Sequence, residues 1–397
     1  MSFREPRAPG APAQGDGIPL CAPALGGNAW RYLKECLDSG WVSSAGPFVT
    51  RFEHELAALV GRRYAVATAS GTAALHLALL VAGVGPDEEV LAPALTFIAP
   101  INAVRYVGAW PVLIDAEPRY WQIDPDKLAE FLQRECVWRG GALRNRSSGR
   151  RVRALLPVHL LGHPADMAPL RDLASRHGLA LIEDAAESLG ARYRGVPVGS
   201  FGDLACLSFN GNKLITAGGG GALLADDAEQ ARRVHYLSTQ AKDDPVEYQH
   251  GAVGYNYRLT NLQAALGVAQ LEQLEAHIAA KRRIAQRYSE ALGQRPGITP
   301  MAEAPWAFST CWMYTVLIDQ ARYGIDSRAL LRALEQGGIV ARPLWRPVYT
   351  NQPYTSCQTY RCEVAPQLVS QALSLPCSVG LTEAEQERVI AAVLAAR

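Results

Sequence analysis

Four short stretches of this 397-residue chain pair chemically able residue types with a place between an apolar run and a turn. Ser70-Gly-Thr72 precedes a segment rich in Ala and Leu. A hydroxyl, a glycine permitting close approach and the free amides of a helix start make a cradle for phosphate. Thr96-Phe97 supplies an aromatic able to stack on a flat ring. Glu183-Asp184-Ala-Ala-Glu187 follows the apolar run Leu179 to Ile182. A carboxylate there is poorly solvated unless it has a cationic or N–H partner. Ser208-Phe-Asn-Gly-Asn-Lys213 leads into Thr216 and the run Gly218 to Gly221. It sets a lysine between an apolar strand and glycines that allow close packing of a ligand. Singly, each stretch has an ordinary reading: a strand-to-helix turn, a core aromatic, a helix-capping aspartate, a solvated lysine.

Together the four ask for one ligand, a planar, phosphorylated aldehyde with a cationic ring, which is pyridoxal phosphate. Lys213 would form a Schiff base with it, and Asp184 would pair with the ring nitrogen and keep it protonated. A P-loop is excluded because the GxxxxGK[ST] spacing is missing. A dinucleotide fingerprint is excluded because Gly218 to Gly221 precedes a strand-like stretch rather than opening a helix.

Strand-like and helix-like segments alternate around these residues. Strands are expected at Tyr64 to Ala67, Glu89 to Ala92, Pro111 to Ile114, Ala154 to Val158, Leu179 to Ile182, Leu204 to Phe209 and Ala222 to Ala225. Helices are expected at Asn28 to Asp38, with Trp30, Leu33 and Leu37 on one face, at Thr72 to Ala82 capped by Ser70, at Phe97 to Val107, at Pro125 to Arg134 and up to His177 from a cap at Asp166. This pattern implies an α/β protein with a mostly parallel central sheet between helices, its ligands gathering at the strands' carboxyl ends. Arg139 to Arg153 holds six arginines among Gly and Ser and reads as a solvated excursion. Past Asn261 the chain turns helical, with no Pro from Leu262 to Leu292. Trp312 to Ile318, Asp326 to Gln336 and Ile339 to Ala341 then indicate a smaller C-terminal α+β domain. Thr382 and Glu385 form a capping box for a last helix burying Val389, Ile390, Val393 and Leu394. The division expected is a tail over 1–17, a large domain over 18–277 and a small domain over 278–397.

Composition narrows the function classes. Net charge is +1, from 39 Lys and Arg against 38 Asp and Glu, which argues against a nucleic-acid binder. No apolar run approaches the ~20 residues of a membrane span, and no signal-peptide core opens the chain. Eight cysteines without CxxC or CxxH spacing point to reduced thiols, a cytoplasmic setting and no metal site.

At these residues the sequence resembles the sugar-nucleotide aminotransferases of the DegT/DnrJ/StrS family. The likeness runs from about Ile18 to the C-terminus. It rests on Gly40-Trp-Val-Ser-Ser44, Ser70-Gly-Thr-Ala-Ala74, Glu183-Asp-Ala-Ala186, Ser208-Phe-Asn-Gly-Asn-Lys213, Gly254-Tyr-Asn-Tyr-Arg-Leu-Thr-Asn261 and Leu375-Pro-Cys-Ser378. The resemblance implies the type I pyridoxal phosphate-dependent aminotransferase fold and a homodimer with composite active sites. It implies Lys213 as the catalytic residue, Asp184 on the ring nitrogen and Phe97 on the ring face. Gly71, Thr72 and Ser208 would hold the phosphate, with Asn256 reaching it from the neighbouring subunit. Glu187 stands where many members have Gln against the ring hydroxyl. Ser44, Arg342, Arg346 and Tyr349 fall in substrate-facing stretches. Asn210 to Gly221, Ser238 to Asp244 and Tyr248 to Gly251 resemble transaminases that make UDP-4-amino-4,6-dideoxy-N-acetylglucosamine from a 4-keto sugar and L-glutamate. Perosamine synthases, acting on a GDP-linked sugar, share the Asn-Lys core but typically carry Glu in the glycine run. A 3-amino-transferring relative and a cofactor-carrying regulator are further alternatives.

Overall fold

The computed structural model describes residues 17–244 and 246–396. All of the expected tail except Gly17 lies outside the described residues. Seven strands build the large sheet: β1 (Tyr64–Thr68), β2 (Glu89–Pro93), β3 (Trp110–Ile114), β4 (Val152–Leu155), β5 (Ala180–Asp184), β6 (Leu204–Ser208) and β7 (Gly221–Ala225). A smaller sheet uses β8 (Ile298–Pro300), β9 (Tyr314–Ile318), β10 (Arg342–Pro343) and β12 (Ala372–Leu375). Strand β11 (Thr359–Tyr360) leaves that region and joins the large sheet beside β3. The large sheet runs β1-β7-β6-β5-β4-β2-β3-β11, and only β7 opposes its neighbours.

Side chains along the strands alternate between two faces. Val90 and Ala92 join one apolar cluster, and Leu91 the opposite one. Leu223 and Ala225 likewise face away from Ala222 and Leu224. Helix α3 (Gly71–Val81) covers the first face, with α4 (Ile98–Tyr106) and α7 (Ala228–Ser238) against it. It is buried at every residue from Ala73 to Leu79, so its run of Ala and Leu carries no polar stripe. The opposite face is covered by α5 (Pro125–Arg134) and α6 (Met167–Arg176), together with α2 (Pro47–Val60) and α8 (Asn261–Leu271).

Several expectations change. Helix α1 (Ala29–Ser39) buries Ala29, Tyr32 and Cys36, while Trp30 is 79% exposed and Leu37 points outward too. Asp166 does not cap α6, because its carboxylate accepts the Tyr193 hydroxyl at 2.6 Å instead. The helix expected over Leu262 to Leu292 is two, α8 and α9 (Leu274–Leu292), broken at Glu272-Gln273 where the chain leaves the packing of α1 and α2. Ile339 forms one bridge to Ile18 rather than a strand. Half of the arginine-rich excursion folds as a hairpin, Cys136–Arg139 against Ala142–Asn145. In the last helix (Glu383–Ala395), the Thr382–Glu385 box is present, but Leu394 is exposed.

The expected boundary at 277/278 falls inside α9. Leu20 accepts a backbone hydrogen bond from Cys377, and β11 returns to the large sheet. Among the described residues, no helix is long and apolar enough to cross a membrane.

Candidate active site

The strand ends bring the acidic stretch and the lysine together. Asp184 closes β5 and is buried, its Oδ1 accepting the Ala186 amide at 3.1 Å. Burial pushes its carboxyl up, and the Ala186 amide, Lys213 and His159 only partly offset this. Strand alternation turns its neighbour Glu183 the other way. There Glu183 accepts the amides of Gly199 (2.8 Å), Phe201 (2.6 Å) and Gly202 (2.7 Å) and meets His159 Nε2 at 3.0 Å. Burial alone would raise the Glu183 pKa, but His159 and these amides outweigh it and hold it below the usual range. The Ala165 amide donates to His159 Nδ1 at 3.0 Å, which leaves the ring proton on Nε2, toward Glu183. His159 also donates its own amide to the Asp184 carbonyl, fixing the end of β5.

Glu187 is buried, and its Oε2 accepts the Leu161 amide at 2.8 Å. Leu161 adopts φ 58°, a left-handed conformation uncommon for a residue with a side chain. The opposite oxygen, Oε1, lies 3.6 Å from Lys213 Nζ. Burial raises the Glu187 pKa, and Lys213 and the Leu161 amide offset part of that. Lys213 sits in the turn after β6, its amide bound to the Asn210 carbonyl. Its Nζ is 4.1 Å from the centroid of the Trp312 ring. Trp312 is buried and pinned by Nε1 donating to the Asn212 carbonyl at 2.7 Å.

Ser70 caps α3, its Oγ accepting the Ala73 amide at 3.0 Å. The first-turn amides lack partners within a helix, so Gly71 and Thr72 present donors. A Cβ on Gly71 would stand 2.9 Å from Ser208 Cβ and 3.3 Å from the Leu207 carbonyl oxygen, so only glycine lets the helix start close on β6. Phe97 precedes α4, is half exposed and meets Trp345 at 5.8 Å between centroids. Beside it, the Thr96 hydroxyl is buried with no hydrogen-bond partner.

Of the substrate-facing candidates, Arg346 directly follows Trp345, the ring that meets Phe97. Ser44 is exposed on the loop between α1 and α2. Asn261 pins that region, accepting the Phe48 amide at 3.0 Å and donating to the Trp41 carbonyl at 2.8 Å. Arg342 lies 3.3 Å from Glu335. Arg346 is exposed, and the Tyr349 hydroxyl is 3.5 Å from the Cys362 carbonyl oxygen. Asn256 is exposed on a segment bridged to Thr239. Sequence reasoning missed His159, Leu161 and Trp312. The first two follow an apolar run directly, the same signal that marked Asp184.

These residues fit pyridoxal phosphate. A glycine-walled helix start suits its phosphate, a buried and under-compensated Asp184 suits a cationic ring nitrogen, and Lys213 lies within reach of Glu187 beside them.

The profile of the DegT/DnrJ/EryC1/StrS aminotransferase family matches residues 23–394. The chain is 40% identical to the GDP-perosamine synthase of Caulobacter vibrioides, over 95% of this chain and 97% of that protein. It is 38% identical to EpsN of Bacillus subtilis, named as a candidate pyridoxal phosphate-dependent aminotransferase, over 95% of each chain. The solved structure of DesV from S. venezuelae superposes with a TM-score of 0.82 at 34% identity, covering 92% of this chain and 93% of that one. The chain belongs to the DegT/DnrJ/EryC1/StrS aminotransferases, with the type I fold and pyridoxal phosphate as its cofactor.

Proposed function

We propose that this sugar-nucleotide aminotransferase moves the amino group of L-glutamate to C4 of a GDP-linked 4-keto-6-deoxyhexose. The observation that carries the reading is the meeting of Lys213, Glu187 and Asp184 at the strand ends, in a chain whose Caulobacter vibrioides relative is named a GDP-perosamine synthase.

When bound, the cofactor supplies an aldehyde that takes up the amino group and a ring that spreads the charge of a developing carbanion. Asp184 holds positive charge at the ring nitrogen. Gly71, Thr72 and Ser208 bind the phosphate, and Phe97 covers the ring. Lys213 Nζ takes a proton from the donor's α-carbon and gives it back on the far side of the transfer. Trp312 gives the ammonium an aromatic face on which to rest in a water-poor site. Glu187, tied to Leu161, hydrogen-bonds the ring hydroxyl in its protonated form. Arg346 and Ser44 face the nucleotide sugar. Arg342 and Tyr349, engaged with Glu335 and Cys362, border that site from the small domain.

The proposal includes a homodimer, cytoplasmic, with Asn256 reaching the phosphate of the adjacent subunit. Trp30, Leu37, Trp41 and Val42 are exposed near one another in sequence, an apolar surface that a second copy would cover.

One observation favours a second reading. The run Gly218 to Gly221 carries no Glu, as in transaminases acting on UDP-4-keto-6-deoxy-N-acetylglucosamine. Incubating the protein with glutamate and either GDP- or UDP-linked 4-keto-6-deoxy sugar, then reading product mass and NMR, decides. Amination of the GDP sugar with release of 2-oxoglutarate supports the first reading. Amination of the UDP sugar alone replaces it, and amination at C3 or of neither overturns both.

A further inference from the structure

One buried lysine has no part in the chemistry above. Lys281, on α9, is 1% exposed. Among the described residues no carboxylate pairs with it. An ammonium has three N–H donors, and here each meets an acceptor: the Trp312 carbonyl at 2.8 Å, Cys21 Sγ at 3.3 Å and Cys377 Sγ at 3.6 Å. Both thiols keep their protons for the backbone. Cys21 donates to the Asn212 carbonyl at 3.4 Å and Cys377 to the Trp312 carbonyl at 3.5 Å. The cation is satisfied by hydrogen bonds alone. Taking it out of water still costs several kcal/mol that an apolar side chain of similar size does not incur. Stability therefore does not call for a lysine at this position.

What the lysine holds is Trp312, which is gripped at both ends. Its carbonyl accepts Lys281 and Cys377, and its indole Nε1 donates to the Asn212 carbonyl at 2.7 Å. Asn212 is the residue before Lys213, and the face of the same indole lies 4.1 Å from Lys213 Nζ. The Trp312 backbone also closes on Gly162, where a Cβ would stand 2.7 Å from the Trp312 amide nitrogen. Gly162 follows Leu161, whose amide fixes Glu187. One clamped tryptophan thus borders both the lysine and the backbone that holds the acid facing it.

We infer that Lys281 is a positioning residue which, acting through Trp312, fixes the place from which Lys213 moves protons, and this rests on Lys213 being the residue that carries them. The Lys213 ammonium has Glu187 Oε1 at 3.6 Å, a long contact, so the indole face is the surface that sets its resting position. Without Lys281 the Trp312 carbonyl keeps only the weak Cys377 S–H donor, and the ring is held firmly at its indole end alone. Lys213 then shifts with the ring. A misplacement of about 1 Å caused far from the reacting atoms can cost about 10²-fold in rate.

The test mixes the cofactor-loaded enzyme with L-glutamate bearing hydrogen or deuterium at Cα and follows the cofactor absorbance through a single turnover. This half-reaction needs no nucleotide sugar, so the identity of the sugar does not enter. Lys281→Met should bind pyridoxal phosphate, and borohydride should fix it at position 213 as in the wild type. Its rate should fall about tenfold or more at full amplitude. Its deuterium effect should exceed that of the wild type, because proton transfer becomes the slower step. A purely structural role would instead lower the amplitude, through lost cofactor or unfolded enzyme, and leave the rate of the remainder unchanged. In a Trp312→Leu background the same substitution should slow the reaction no further, since residues that act as one unit are not additive. If Lys281→Met does not fold, Lys281→Leu is read in the same way. Equal rates in wild type and variant, a loss of amplitude alone, or losses that multiply in the double variant overturn the inference. If borohydride fixes no cofactor at Lys213 in the wild type, the role of Lys213 itself is overturned, and this inference with it.

Discussion

Glu187 Oε1 stands 3.6 Å from Lys213 Nζ, while its second oxygen is fixed by the Leu161 amide. The acid therefore cannot turn away from the lysine without stranding a buried N–H. Burial is the largest influence on it and raises its pKa. The consequence for stability has a definite sign. Below the ordinary glutamate value of 4.5 both folded and unfolded chains are protonated at this position. As pH climbs past it, the unfolded chain ionises first, and the folded chain loses stability until its own raised pKa is passed. Glu187→Gln keeps the acceptor for Leu161 and cannot ionise. Melting temperatures of the cofactor-free proteins should diverge in favour of Gln as pH rises from 4.5, then run parallel. A constant gap across that range would mean Glu187 titrates normally.

Asp184→Asn separates charge from shape. The amide oxygen can still accept the Ala186 N–H, so the end of β5 should keep its geometry. What goes is the anion at the ring nitrogen. Loss of one preorganised electrostatic partner typically costs about 10²–10³ in kcat. Both half-reactions, followed separately by single-turnover absorbance, should slow by that order while melting temperature changes little. Undiminished half-reactions would remove Asp184 from the mechanism.

Residue type and spacing made much of this site legible. Lys213, Asp184, Glu187, Gly71 and Ser208 each follow an apolar run or open a helix, and the alternating pattern places such positions on one edge of a parallel sheet. Helix α5 is legible to its ends, Pro125–Arg134, because Pro, an Asp cap and a strong apolar stripe all agree. What was illegible depends on distant partners. The apolar stripe of α1 reads inward through Trp30 and Leu37, yet Glu272, in the α8–α9 break, holds Tyr32 at 2.6 Å and sets the opposite rotation. Trp312 and Lys281 meet Lys213 and Cys21 across long sequence separations, and no local period encodes that. Strand β11 is only two residues, too short for any pattern.

Arg62 supports the site from beneath. It is buried, donating Nε to the Gly199 carbonyl at 2.7 Å and Nη2 to the Gly202 carbonyl at 2.5 Å, with Glu183 Oε1 at 3.8 Å and Asp226 at 2.7 Å. Arg62→Met fills similar volume but strands two carbonyls and removes the cation beside Glu183. Breaking such a buried arrangement costs about 3–5 kcal/mol, and the lower end applies because Asp226 is half exposed and Glu183 keeps its amides. Urea unfolding of the cofactor-free protein should show a lower midpoint with an unchanged slope. A cost under ~1 kcal/mol, the size of an ordinary surface pair, would show that His159 and the three amides satisfy Glu183 without the guanidinium.

Gly71→Ala tests the phosphate cradle. Alanine is the better helix former by about 1 kcal/mol, so propensity alone predicts a gain. Against it, the new methyl would meet Ser208 Cβ at 2.9 Å, Ser208 Oγ at 3.2 Å and the Leu207 carbonyl oxygen at 3.3 Å. Neither neighbour can retreat, because both belong to β6, which is hydrogen-bonded to strands on either side. Overpacking of this kind costs about 1–3 kcal/mol, so the clash wins. The helix start is pushed off the strand, and Ser208 no longer shares an anion with the Gly71 and Thr72 amides. Gly211→Ala is the control, since a Cβ there meets nothing within 4 Å. Equilibrium titration should show weaker pyridoxal phosphate binding and a lower melting point for Gly71→Ala, and neither for Gly211→Ala. Equal affinity in the two variants would place the phosphate somewhere other than the start of α3.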